Sequence, residues 1–432
     1  MPVRVVIVGA GIGGLAAAHH LTRLSAERGQ PLEVIVLEAA DHPGGWLATE
    51  RCEGALLERG PDTLVTHKPA GLALCERLGL GGRLVFRPAG RIDVLDGGRL
   101  LPLPAGFALA VGADRSMGSE EPADESVASY VRRRFGDELY RRFYEPVMGG
   151  LFMGDTEELS LAAIVPRHAA QGGEPGRPAP PPVATLDGGL GQIVSALVAR
   201  LPEGTLRLGQ RVQGLAREGR GFLFRMPEES PLTADAVLIA LPAPAASALL
   251  ADLDPPLAAE LGQIAYASAV TVHLAWPRQA VERPPQCHGF FVPRTAGSPV
   301  VAASFVSVKH PERAPADQLV VRVFLGGALH PEAISRPDAD LVDLAASLLA
   351  PLLGLRQPPL WSRVWRQASA MPQRRVGHPA LVARLRARLG EHPGLDVAGG
   401  PLGAYGLPDS IAEGEAAAER VGEWVGSFAP GS

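Results

Sequence analysis

The chain has 432 residues, 46% of them hydrophobic and 20% charged, with a formal net charge of −5. That apolar share can bury a sizeable core, which excludes a wholly disordered chain. Mild acidity without a basic stripe argues against nucleic-acid binding.

In chain order, Val3–Val8 is an apolar run of strand length, followed at once by Gly9-Ala10-Gly11-Ile12-Gly13-Gly14. Ala and Leu at helical spacing from Gly13 to Leu24 predict a helix, and Leu32–Leu37 predicts a second strand ending at Glu38. This is a βαβ half-unit with a short turn. Two short strand-like pieces follow the Gly44-Gly45 loop. Residues 86–187 differ in character: an extended Arg91–Leu103 segment, a Gly/Ser/Glu-rich loop near Gly112–Asp124, a basic helix over Val127–Tyr144, and a Pro-rich linker from Gly172 to Pro182. Helix and strand signals resume from Thr185, including the apolar strand Ala236–Leu241. Alternating strands are predicted over Ser268–Leu274, Gly289–Pro293, Val300–Val308 and Leu319–Leu325, with a helix at Asp338–Leu353. Gly394–Ala398, a turn and the helix Ser410–Gly426 close the pattern.

Val3–Val8 already reads as a buried strand, so no signal peptide is expected. The longest uncharged stretch, Leu261–Pro277, carries Gln263 and His273 and is too polar to span a bilayer. Cys52, Cys75 and Cys287 lack metal or redox spacing and read as reduced core thiols. The 11 histidines show no ligand spacing, so no metal is expected. Arg132-Arg133-Arg134 with Arg141-Arg142 reads as a solvated face, with acidic lipid or carboxylates as the alternative contact.

The chemistry lies in the glycines. Gly9 permits the tight turn, Gly11 admits backbone to a pyrophosphate, and Gly14 lets helix and sheet approach, with Gly13 between them. The helix N-terminus offers free N–H groups to a diphosphate. Glu38, at the end of the second strand, is placed to accept both hydroxyls of an adenosine ribose. Gly44-Gly45 and then Gly60-Pro61 bring bare backbone back toward the diphosphate and ring system, which a nicotinamide site does not need. Near the end, a strand runs into Gly399-Gly400, and Gly406-Leu407-Pro408 opens a last helix whose N–H groups would face a flavin's pyrimidine edge. These elements favour FAD over NAD.

On these motifs the chain resembles the flavin amine-oxidase superfamily, and within it the protoporphyrinogen oxidase branch. EPVMGGLFMGDTEELS (Glu145–Ser160) and MPQRRVGH (Met371–His378) are specific to that branch. VKHPERAP (Val308–Pro315) fits it, and the glycine motifs are shared by the superfamily. Coproporphyrinogen III oxidases of the same branch look alike at this level. The resemblance implies fold class α/β and α+β. A Rossmann-like (GR2-type) FAD-binding domain of residues 1–85, 185–264 and 385–432 is split by a shortened helical insertion, 86–184, and a mixed-sheet substrate domain, 265–384.

The implied activity is oxidation of protoporphyrinogen IX by hydride transfer to flavin N5, with molecular oxygen as final acceptor. Coproporphyrinogen III oxidation, another amine oxidase or desaturase, and a flavin- or porphyrin-binding protein without turnover stay open. Arg91 matches an arginine that pairs with a propionate, Gly150 a glycine whose backbone faces the macrocycle, and Phe291, Phe324 and Ser304 wall positions. Val212 falls among the cofactor contacts. No general base stands out. The branch's Arg before the glycine pair is His42 here, the basic residue after it is Trp46, and its Gly-Asn is Gly399-Gly400. Its Gly-Val-Gly before Pro-Asp is Ala404-Tyr405-Gly406. The segments Gly106–Asp124 and His168–Thr185 are shorter than the branch leads one to expect. A cytoplasmic location is implied, with peripheral membrane contact and a homodimer left open.

Overall fold

A computed structural model describes residues 2–88, 90–104, 107, 124–164, 182–227 and 231–426. The Gly/Ser/Glu-rich loop and the Pro-rich linker fall almost entirely outside these residues.

The apolar run at the start of the chain forms β1 (Val3–Val8), the middle strand of a five-stranded parallel sheet. It pairs with β2 (Leu32–Leu37) on one side and Ala236–Ile239 on the other, with Leu206–Arg207 and Leu395–Val397 at the edges. A parallel strand buried on both faces needs no polar alternation, which is why these strands read as continuous Val, Ile and Leu. On one face α1 (Ile12–Arg28) packs with the helix Leu407–Gly426, burying Leu15, Leu21, Ile411 and Val421. Phe222, Phe224, Leu249 and Leu385 cover the other face. Gly29 ends α1 at φ 63°, donating its N–H to the Ser25 carbonyl.

A second, seven-stranded sheet has the order Trp361–Pro372, Tyr266–Pro277, Gln318–Gly326, Val300–Phe305, Gly289–Phe291, Ile92–Asp96, Arg99–Pro102. It is mixed, because Ile92–Asp96 pairs parallel to Gly289–Phe291 while the other pairs are antiparallel. One face is apolar and buries Val270, Val272, Val321, Val323 and Phe305 under the helix Asp338–Leu353. The register leaves Thr271, His273, Arg322, Phe324, Ser304 and Phe291 on the opposite face.

Two boundaries differ from the sequence reading. The hairpin Ile92–Pro102 is assigned there to the helical insertion, but it extends this sheet, because Gly289–Phe291 offers its backbone as a template. Helix His378–Leu389, which a boundary at 384/385 would cut, seats Leu381, Leu385 and Leu389 in the core of the nucleotide sheet.

Between the sheets' chain segments lies a small helical cluster. Ser126 caps the helix Val127–Phe135 by accepting the Ser129 N–H at 3.1 Å. The continuous helix predicted over Val127–Tyr144 breaks at Gly136, whose φ is 87°, and resumes through a π-helical turn into Glu145–Phe152. Its core is aromatic, with Phe135 and Tyr144 stacked at 5.4 Å. The basic stretch is ion-paired: Arg132 with Glu157, Arg133 with Glu125, Arg141 with Asp137 and Arg142 with Asp96. Among the described residues, no helix is long and apolar enough to cross a membrane.

Candidate flavin and substrate site

The glycine turn after β1 is shaped by close approach. A Cβ on Gly9, at φ +104°, would lie 2.6 Å from the Ala240 carbonyl oxygen, and one on Gly14 would lie 2.0 Å from the Gly9 carbonyl oxygen. Only glycine fits at either place. Gly13 meets Ser410 of the last helix, and a Cβ on Gly414 would lie 2.2 Å from the Gly13 carbonyl oxygen. The two helices therefore touch backbone to backbone beside the turn.

Other glycines mark space rather than crowding. A Cβ on Gly11, Gly399 or Gly406 would meet nothing within 4 Å, and one on Gly45 would meet only the Gly11 Cα. Gly44 closes the turn by donating its N–H to the Ala10 carbonyl at 2.8 Å. The Glu38 carboxylate is fixed at the same place, accepting the N–H of Ala10 at 2.8 Å and of Ala40 at 2.9 Å. An open backbone cradle at a helix N-terminus, with an anchored carboxylate beside it, fits the diphosphate and ribose of FAD.

Gly60 has a different reason: its Cβ would lie 2.2 Å from the Trp46 carbonyl oxygen. Leu407 is buried against the nucleotide core, Pro408 packs near Gly71, and Val212 is half-buried beside the opposite core. Pro61 sits in the loop that joins Gly60 to Asp62.

That loop is clamped to the mixed sheet by buried charges. Glu58 and Arg313 pair at 3.1 Å, exposed by only 3% and 2%. Glu58 also accepts the Thr49 hydroxyl and the Leu190 N–H, and Arg313 donates to the Thr185 hydroxyl and the Leu186 carbonyl. Burial pushes the Glu58 carboxyl upward against Arg313, Thr49 and Leu190. Arg322 donates to the carbonyls of Gly60 at 2.7 Å and Arg59 at 3.1 Å.

Lys309 donates to both oxygens of Asp62, and His310 lies 3.8 Å from the same carboxylate. Burial alone would raise the Asp62 carboxyl, but Lys309, His310 and Arg322 hold it well below the usual carboxylate range. The sequence reading assigned no role to these residues. The signal was present: Glu58 and Asp62 are spaced by four, as are their partners Arg313 and Lys309.

The expected substrate residues come together in part. A Cβ on Gly150 would lie 2.4 Å from the Phe291 ring, so helix Glu145–Phe152 rests directly on the sheet at that point. Phe324 shares Phe291's face and carries the Arg322 guanidinium 4.5 Å from its ring centroid. Ser304, one row along, donates to the His288 carbonyl at 3.4 Å. Arg91 immediately precedes the strand Ile92–Asp96 that pairs with Gly289–Phe291. Its side chain is half exposed and bonds Asp93, which is fully buried. The Thr271 hydroxyl and His273 Nδ1 on the same sheet face have no partner among the described residues.

The family model of flavin containing amine oxidoreductases matches residues 12–422. Coproporphyrinogen III oxidase of Propionibacterium freudenreichii subsp. freudenreichii is 31% identical over 487 residues, spanning 96% of this chain and 90% of its own. The enzyme of that name from Bacillus subtilis is 28% identical, with 96% of each chain covered. The chloroplastic protoporphyrinogen oxidase of Oryza sativa subsp. japonica is 28% identical, covering 98% and 89%. A solved structure from Exiguobacterium sp. 255-15, provisionally named a protoporphyrinogen oxidase, superposes with a TM-score of 0.84 at 28% identity, over 97% of this chain and 98% of its own. A match along nearly the whole length, joined to an open glycine cradle, makes this chain a member of the flavin-containing amine oxidoreductase family and an FAD-dependent oxidoreductase.

Proposed function

We propose that this oxidoreductase oxidises a porphyrinogen, and that coproporphyrinogen III is its preferred substrate. The observation that carries the reading is the sheet face bearing Phe291, Phe324 and Ser304, roofed by Gly150, on the sheet that Lys309 and Arg322 tie to the Gly60–Asp62 loop. A large apolar macrocycle needs such apolar walls, and its carboxylate tails need guanidinium groups at the rim. Arg91 is half exposed just before the strand Ile92–Asp96, and a guanidinium suits a carboxylate, although its partner Asp93 shares the face of Phe290 rather than that of Phe291. The sequence reading put protoporphyrinogen IX first. Two of the three curated relatives described above carry the name coproporphyrinogen III oxidase, which favours that substrate.

Bound FAD would supply a hydride acceptor and a route for the electrons to oxygen. The chain's own residues bind and orient. Glu38 and the N-termini of α1 and the last helix hold the cofactor's polar groups. Gly150, Phe291 and Phe324 bound the macrocycle and exclude water. No residue needs to act as a strong base, because hydride transfer depends chiefly on orientation.

The test is aerobic incubation of FAD-loaded protein with each porphyrinogen, following porphyrin fluorescence against an enzyme-free control. Faster turnover of coproporphyrinogen III is expected. Faster turnover of protoporphyrinogen IX would reverse the preference, and no turnover of either would end the porphyrinogen reading.

A further inference from the structure

The loop between Gly399 and the last helix carries Tyr405 where the resemblance leads one to expect a small aliphatic residue. Its surroundings give the larger side chain a role. The Tyr405 hydroxyl donates to the Leu151 carbonyl, and its ring lies 4.5 Å from the Phe152 ring, tilted by 38°. The Arg374 guanidinium sits 5.3 Å from the centroid of the same ring. On the loop side, the Tyr405 N–H donates to Asp409 at 3.2 Å, and Lys68 holds Asp409 at 2.6 Å.

Leu151 and Phe152 are the last two residues of helix Glu145–Phe152. The final carbonyls of a helix have no partner within it and must be satisfied from outside. Here Met153 turns back on Gly149, Gln373 donates to Phe152 at 3.2 Å, and Tyr405 takes Leu151. Gly150 precedes them directly and abuts Phe291 of the sheet. One side chain thus joins the flavin-facing loop to the end of the helix that roofs the substrate wall.

We propose that Tyr405 is a positioning residue that fixes helix Glu145–Phe152, and with it the Gly150–Phe291 wall, at a set distance from the flavin-facing loop. The cofactor half of this proposal needs only the flavin site, and the substrate half rests on the porphyrinogen reading.

The test compares wild type, Tyr405→Phe and Tyr405→Val, each loaded with FAD. FAD content, visible circular dichroism of the bound flavin, and anaerobic flavin reduction across coproporphyrinogen III concentrations are measured. Full FAD content and an altered flavin dichroism are expected in both variants. Tyr405→Phe, which keeps the ring and loses the bond, should raise the half-saturating concentration about two- to tenfold with less change in the limiting rate. Tyr405→Val should shift both further.

Dichroism and kinetics like wild type in Tyr405→Val would overturn the proposal. So would loss of activity that merely follows loss of FAD. If wild type itself is not reduced by either porphyrinogen, the functional reading fails; the dichroism then decides on Tyr405 alone, a change supporting it and no change overturning it.

Discussion

Lys309 Nζ lies 2.8 Å and 2.9 Å from the two carboxylate oxygens of Asp62, joining residues 247 positions apart. The pair fastens the mixed sheet to the loop that follows Gly60. Lys309→Met leaves a largely buried carboxylate short of its main partner. Both groups keep some solvent contact, so the expected loss is about 1–3 kcal/mol rather than the larger cost of a fully buried pair. Thermal denaturation should show Asp62→Asn in the same chain recovering most of that loss. A change in melting temperature on Asp62→Asn that is the same with and without Lys309 would mean that the two groups are not coupled.

Acid should loosen the fold before Asp62 is protonated. Burial pushes the His310 imidazole down to about 3 and His378 to about 4, and burial holds His273 well below its ordinary value. A histidine neutral when folded but protonated when unfolded makes stability rise with pH. Stability is therefore lost as pH falls below about 6.5, by up to about 1.4 kcal/mol per unit for each group. Asp62 acts with the same sign but in a lower window, losing its contribution only below about pH 4. Between those limits the dependence of stability on pH, taken from melting curves, should steepen as the solution becomes more acidic, and His378→Gln should remove about one proton from that slope. An unchanged slope would place that imidazole in solvent.

Glu38→Ala removes the acceptor of two backbone N–H groups as well as the expected ribose contact. FAD affinity should fall about 10- to 100-fold, the scale of charge-assisted hydrogen bonds. Fluorescence titration of the stripped protein measures it directly. A variant that purifies fully flavinated would move the ribose contact elsewhere.

At the substrate wall, Gly150→Ala must displace the Phe291 ring, since the new methyl would sit 2.4 Å from it. A raised KM for the porphyrinogen with unchanged FAD content is expected. KM equal to that of wild type would remove this contact from the wall.

Arg91→Ala should raise KM and also lower the melting temperature, because it strips the partner from fully buried Asp93. Adding Asp93→Asn should restore stability while KM stays high. If both recover together, Arg91 serves the fold and no carboxylate.

The nucleotide half of the molecule was legible because its constraints are local. A continuous apolar strand, a glycine turn and a terminal Glu38 each follow from backbone geometry within a few dozen residues. The partnership of Glu58 with Arg313 and of Asp62 with Lys309 was not legible as contact. It depends on two segments about 250 residues apart meeting face to face, and four-residue spacing alone does not name its complement. The hairpin Ile92–Pro102 misled for a related reason. Its strands look the same whichever sheet receives them, and only the parallel register with Gly289–Phe291 assigns them. Arg91 was singled out through the resemblance alone, and its bond to Asp93 two residues on needed the side-chain geometry.

The backbone contact between Gly414 and Gly13, together with the edge strand Leu395–Val397, carries a consequence for biosynthesis. The glycine turn and the helix that braces it are about 400 residues apart along the chain, and the strand that completes the sheet lies just before that helix. A nascent chain halted before residue 395 holds half a cofactor cradle with no second wall. The cradle is therefore complete only once residues 9–14 and 407–414 have both been made.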